Sequence, residues 1–204
     1  MNQVGYDAMA LGIKELSLGP DVLRQRMDEA QFPLLSANVE VSGSGELVAP
    51  AFVILEMGGR RLGVIGLTPQ PDNPLRDFRV LDPQQAAAQV IPQVAAQADT
   101  VVVLTSLTYR AGLALAEAVP GIDLLIAALP MQLPEQAVRA ANTGTLVVVA
   151  EQPAPAHTGR RIGRLAVTLE TDGSLGGESW TSVWMDNTLV DDLLMTTLLD
   201  SYRP

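Results

Sequence analysis

The stretch Asp82–Ala127, DPQQAAAQVIPQVAAQADTVVVLTSLTYRAGLALAEAVPGIDLLIA, decides the fold class. Asp82 is placed to cap a helix and Pro83 to open it: an Asp oxygen accepts from the free N–H groups of a first turn, and proline's missing donor is not needed there. Ala87, Val90, Ile91, Val94 and Ala98 then fall on one face at helical spacing. Pro92 is expected to kink or split this helix, because its ring meets the carbonyl four residues back. Thr100–Leu104 follows as a β-branched apolar run, Tyr109–Val119 as a second helix and Ile122–Ala127 as a second apolar run. Strands that are apolar throughout are covered on both faces, the pattern of an α/β layered sheet.

Toward the N-terminus, Ala51–Met57 and Arg61–Leu67 flank Gly58-Gly59, which predicts a hairpin. Leu34–Val39 reads as a buried strand, Ser42–Glu46 as a polar turn, and Pro20 as the first residue of a helix over Asp21–Ala30. Thr68–Asp77 holds Pro69, Pro71 and Pro74 and must be loop. Toward the C-terminus, Pro134–Ala141 is expected to be helical and Thr145–Ala150 a strand. Arg161–Glu170 and Glu178–Met185 form a hairpin about Asp172-Gly173, and Leu189–Tyr202 a closing helix with Leu189, Leu193, Leu194 and Leu198 inward. Trp180 and Trp184 lie four apart and face one side of their strand, either beneath the closing helix or toward a partner. With no internal repeat and no dividing linker, residues 1–204 are expected to be a single domain.

Composition narrows the function classes. Of 204 residues, 48% are hydrophobic, enough for a sizeable core, and the formal net charge is −10. Such a charge argues against nucleic acid as a partner and against an anionic membrane surface. No run of about 18 apolar residues occurs, so membrane insertion is not expected. The first residues lack a basic segment followed by an apolar run, so they do not read as a signal peptide. There is no Cys and one His, His157, which removes thiolate chemistry and makes an imidazole-rich metal site unexpected. Lys14 is the one lysine.

Four segments in order resemble the calcineurin-like metallophosphoesterase domain of bacterial 5′-nucleotidases. Gly5–Gly19, GYDAMALGIKELSLG, stands where the family has GYDAxxxGNHEFDxG, and Pro33–Val39, PLLSANV, matches the strand that follows. Gly63–Thr68, GVIGLT, precedes Val101–Ser106, VVVLTS, where the family ends a strand in VVLSH. Gly121–Met131, GIDLLIAALPM, stands where the family has GxDxIIGGHxH. The resemblance implies a layered α/β sandwich with mixed sheets, a C-terminal β-hairpin and a closing helix. In the family two metal ions activate water against phosphorus. At the implied ligand positions this chain has Ile13, Ser106, Leu129 and Met131, and Lys14 stands where the family keeps a catalytic His. Aliphatic side chains offer no lone pair, and a thioether suits hard divalent ions poorly. The family's two earlier ligand segments, ending in DxH and GD, and its nucleotide-binding C-terminal domain are not in the chain, so the resemblance is to a degenerate, N-terminally truncated domain.

The expectation is a catalytically inactive binding or scaffold module with no cofactor, held by an unknown protein partner or by self-association. The rival is part of a phosphate-ester or nucleotide hydrolase with its metal-binding segments upstream; a divalent metal pair belongs to that reading alone. Its vestigial catalytic positions would be Lys14, Glu15, Ser106 and His157. Each has a plain alternative: Lys14 a solvated or salt-bridged cation, Ser106 an inert strand end, His157 an exposed loop residue beside Arg160 and Arg161, and Leu129 and Met131 fillers of the space that ligands left. The resembled nucleotidases are mostly exported, which implies an extracytoplasmic location.

Overall fold

The computed structural model describes residues 1–129, 137–149, 161–171, 173–186 and 188–202. In chain order the elements are β1 (Met9–Ala10), α1 (Ile13–Leu16), α2 (Pro20–Glu29), β2 (Leu34–Leu35), β3 (Val39–Val41), β4 (Phe52–Met57), β5 (Arg60–Leu67), β6 (Phe78–Val80), α3 (Pro83–Ala95), β7 (Thr100–Thr108), α4 (Tyr109–Ala118), β8 (Leu124–Leu129), β9 (Val138–Arg139), β10 (Leu146–Val149), β11 (Arg161–Leu169), β12 (Leu175–Trp184) and α5 (Leu193–Asp200).

The apolar runs form one six-stranded sheet in the order β4-β5-β7-β8-β10-β9. β5, β7, β8 and β10 are parallel, with β4 and β9 antiparallel at the two edges. Alternation along each strand sends Ile65, Val101, Val103, Leu125 and Val147 to the face that carries α3 and α4, where Val90, Ile91, Val94 and Leu115 complete the core. Val64, Val102, Leu124, Leu146 and Val148 point the other way. They meet Leu35 of β2 and the inner residues of the β11–β12 hairpin, Leu165, Val167, Leu175 and Trp180. Sheet-to-helix and sheet-to-strand packing on opposite faces makes the fold a layered, mixed-sheet α/β architecture.

Gly66 allows the second layer to approach. A Cβ there would lie 2.3 Å from the Leu35 carbonyl oxygen, a distance that real contacts do not reach. The glycine lets β2 cross over β5, and the Ala37 N–H donates to the Gly66 carbonyl at 2.8 Å. A separate apolar cluster, including Leu11, Leu16, Leu23, Phe32, Val39 and Phe78, joins α1, α2 and the antiparallel β3–β6 pair.

Five expectations need correction. Leu34–Val39 is two short strands, because Ser36 and Asn38 turn their polar side chains into the interior between them. The Pro92 helix is unbroken from Pro83 to Ala95. Pro92 and Ala88 are both exposed, so the carbonyl that the missing N–H leaves free meets water. Val138–Arg139, expected within a helix, is an edge strand antiparallel to β10. The closing helix covers only Leu193–Asp200 and buries no residue, with Leu193 82% and Leu194 78% exposed. Trp180 packs on the central sheet rather than beneath that helix, and Trp184 is half exposed. No helix among the described residues is long and apolar enough to cross a membrane.

Candidate functional site

The site begins with a buried polar clamp around Thr68. The Thr68 hydroxyl donates to the Leu11 carbonyl at 2.8 Å and lies 3.0 Å from the Ser36 hydroxyl. The Asn38 amide donates to the carbonyls of Thr68 at 2.7 Å and Leu81 at 2.9 Å, and its oxygen accepts from the Thr68 N–H at 2.8 Å. Ser36, Asn38 and Thr68 are each fully buried. Every bond in this network replaces one to water, so the clamp is stable only as a whole. It holds the turn from β1 into α1 beside the carboxyl end of β5. No role for these three residues follows from periodicity; the available signal was a polar residue interrupting an apolar run.

At that turn Gly12 sits between two of the expected site residues. A Cβ on Gly12 would lie 2.8 Å from Glu15 Oε2 and 3.5 Å from Ser106 Oγ, so the carboxylate and the hydroxyl flank the same glycine. Glu15 accepts from the Gly12 N–H at 2.9 Å. This is the returning half of a capping box, and it gives Glu15 a structural task at the start of α1. Ile13 turns into the apolar cluster of Leu11, Leu16 and Leu23. Lys14 is exposed and forms no ion pair among the described residues. Ser106, near the carboxyl end of β7, has a hydroxyl shielded from solvent and without a hydrogen-bond partner among the described residues. Its neighbour Thr105 is buried and accepts from the Leu107 N–H at 3.1 Å.

Leu129 ends β8 in register with Thr108. Its side chain, Met131 and His157 lie outside the described residues. The structure therefore brings Ile13, Lys14, Glu15 and Ser106 to one place and leaves His157 unassigned to it. Donor chemistry here does not fit a pair of divalent ions: one aliphatic side chain, one neutral hydroxyl and one carboxylate already bonded to a backbone N–H. Among the described residues no three His, Cys, Asp or Glu side chains are grouped to hold a metal.

Perturbed carboxyls lie elsewhere. Burial pushes the Asp123 carboxyl up, opposed by the Val101 N–H that it accepts at 2.7 Å. This residue joins the amino ends of β7 and β8, since its own N–H donates to the Val101 carbonyl. Asp99 is held below the usual carboxylate range by the Arg61 N–H, and Glu178 by the Arg139 side chain. Arg139 also donates to the carbonyls of Gly144 and Leu175, which ties the β11–β12 hairpin to the edge of the sheet.

In fold the chain is similar to a calcineurin-like phosphoesterase. Over 98% of its length the chain superposes on the calcineurin-like phosphoesterase YfkN from Bacillus subtilis with a TM-score of 0.72 at 24% identity, covering 70% of that structure. It is also similar to 5′-nucleotidases. The 5′-nucleotidase precursor from Thermus thermophilus superposes with a TM-score of 0.81 at 27% identity, over 97% of this chain and 42% of that one. The 5′-nucleotidase of Vibrio vulnificus is 36% identical over 102 residues, which is 46% of this chain and 18% of that protein's length. The chain thus spans less than a fifth of that curated relative. No family model matches it.

Proposed function

We propose that residues 1–204 form a single, catalytically inactive nucleotidase-like domain that serves as a binding or scaffold module and holds no metal pair. The observation that carries this reading is the fate of the α1 turn. Where the resemblance implies a metal ligand, Ile13 packs into an apolar cluster, and the neighbouring carboxylate of Glu15 caps its own helix. A metal pair there would need ligands that the turn has given to packing and capping. Leu129 and Met131 extend the same substitution of aliphatic and thioether groups for ligands. Ser106 and Lys14 remain as polar remnants, and the one carboxylate beside them, Glu15, is engaged by the Gly12 N–H rather than by the Ser106 hydroxyl. A protein partner then takes the place of substrate, and the likeness to a nucleotidase precursor supports a location outside the cytoplasm.

The test is turnover. Purified protein with manganese, zinc, cobalt or calcium is assayed on an aryl phosphate and on 5′-nucleotides. The expected result is no metal-dependent hydrolysis above a mock preparation. Metal-dependent turnover would establish the rival hydrolase reading, in which Lys14, Glu15, Ser106 and His157 are the residues to mutate first.

A further inference from the structure

We infer that the β11–β12 hairpin is a movable flap, latched by Arg139, that lifts from the central sheet as one unit while the sheet and its helical face stay folded.

The hairpin is held together more firmly than it is held down. Its two strands match over eight residue pairs, from Arg161 opposite Trp184 to Leu169 opposite Leu175. They form a sheet of their own, and among the described residues neither strand pairs with a strand of the six-stranded sheet. Attachment to that sheet is therefore left to side chains. No described residue of either strand is buried: Leu165, Val167, Leu175 and Trp180, which pack on the central sheet, are each half-buried. The residues of the sheet face differ. Val64, Val102, Leu124, Leu146 and Val148 are between 1% and 8% exposed. Lifting the hairpin bares apolar surface on both partners, so the closed form dominates. A layer with few fully buried residues and no ladder to its neighbour is nonetheless the kind of element that opens short of global unfolding.

Polar bonds hold the turn end. The Thr100 hydroxyl donates to the Gly173 carbonyl at 2.9 Å, and the Arg60 guanidinium donates to the Glu170 carbonyl at 3.2 Å. Arg139, on the edge strand β9, makes the clasp. Its Nε and Nη2 donate to the two Glu178 oxygens at 3.0 and 2.9 Å, and Nη2 also donates to the Leu175 carbonyl at 3.1 Å. Nη1 reaches back to the Gly144 carbonyl at 3.1 Å, which fixes the other side of the fork to the sheet edge. A planar guanidinium suits such a two-sided grip, because its donors lie in one rigid plane. The Arg139 and Glu178 side chains are 43% and 32% exposed, so both charges rehydrate when the clasp parts and neither is left buried alone. That makes the contact a latch that releases rather than a fixed joint.

The chain has no cysteine, so an introduced thiol reports on its own position. Val148→Cys places one on the face that the hairpin covers, and Val103→Cys one on the face that α3 and α4 cover; each is a change of similar size at a buried position. The thiols of the two variants are titrated with 5,5′-dithiobis(2-nitrobenzoate) in native buffer and in low urea. The Val148→Cys thiol is expected to react at least about tenfold faster than the Val103→Cys thiol, with a shallower urea dependence, because a partial opening exposes less surface than unfolding. Adding Arg139→Gln is expected to speed the Val148→Cys reaction about fivefold, the upper scale of an exposed ion pair, and to leave the Val103→Cys reaction unchanged. Equal rates and equal urea slopes at the two thiols would overturn the proposal, since the covered face would then be reached only through global unfolding. So would an Arg139→Gln effect of the same size at both thiols, or no effect at either.

Discussion

At Ser106 a hydroxyl is shielded from water and bonded to none of the described residues, a situation that costs about 1–3 kcal/mol for a group of this kind. Ser106→Ala removes the hydroxyl and leaves the packing, so urea unfolding is expected to show a gain of about 1 kcal/mol. A loss would mean that the hydroxyl is bonded in solution. Asp123 gives a prediction in pH. Burial raises its carboxyl above the ordinary 3.8, so below that value the group is protonated in both folded and unfolded chains. As the pH rises through the raised folded value, the folded state must ionise a half-buried group and loses stability relative to a neutral residue. Asp123→Asn keeps an oxygen for the Val101 N–H and never ionises. Its stability relative to the parent is expected to climb with pH from about 3.8 and level off above the raised value; parallel urea midpoints across that range would show it, and a flat difference would contradict it. The identities at the positions where the resemblance implies ligands were legible in the sequence, but their tasks were not. Glu15 caps Gly12 and Ile13 joins the core, assignments that depend on where the backbone turns.

At the scale of elements, the crossing of β2 over β5 depends on Gly66. Gly66→Ala places a methyl 2.3 Å from the Leu35 carbonyl oxygen, which is backbone and cannot swing away. Overpacking of this kind is expected to cost roughly 3 kcal/mol in urea unfolding, and a neutral result would mean that the two layers separate easily. The last helix predicts the opposite. Leu193 and Leu194 stand exposed, so changing both to Gln is expected to move stability by less than about 0.5 kcal/mol. A large loss would restore the inward packing that the sequence implied. Periodicity located that helix but could not name its cover, because an apolar stripe records that something is buried and not what buries it. Pro92 misled for a related reason: its penalty depends on whether the freed carbonyl reaches water, and here it does.

Across the whole molecule, alternating apolar strands and helices were enough to read the parallel sheet and its helical cover. The covering of the second face was not legible, because β1 and β2 are two residues each and owe their position to a polar clamp that joins Ser36 and Asn38 to Thr68, 30 residues beyond Asn38. That clamp fixes the turn into α1, where the Ile13 side chain packs and the Glu15 side chain caps. That the domain binds no metal pair is the central proposal, and manganese binding tests it most directly. Free manganese is counted by electron paramagnetic resonance as the ion is titrated into the purified chain. The expected signal rises with added metal as it does in buffer. Saturable, stoichiometric uptake at micromolar metal would contradict the loss of the site.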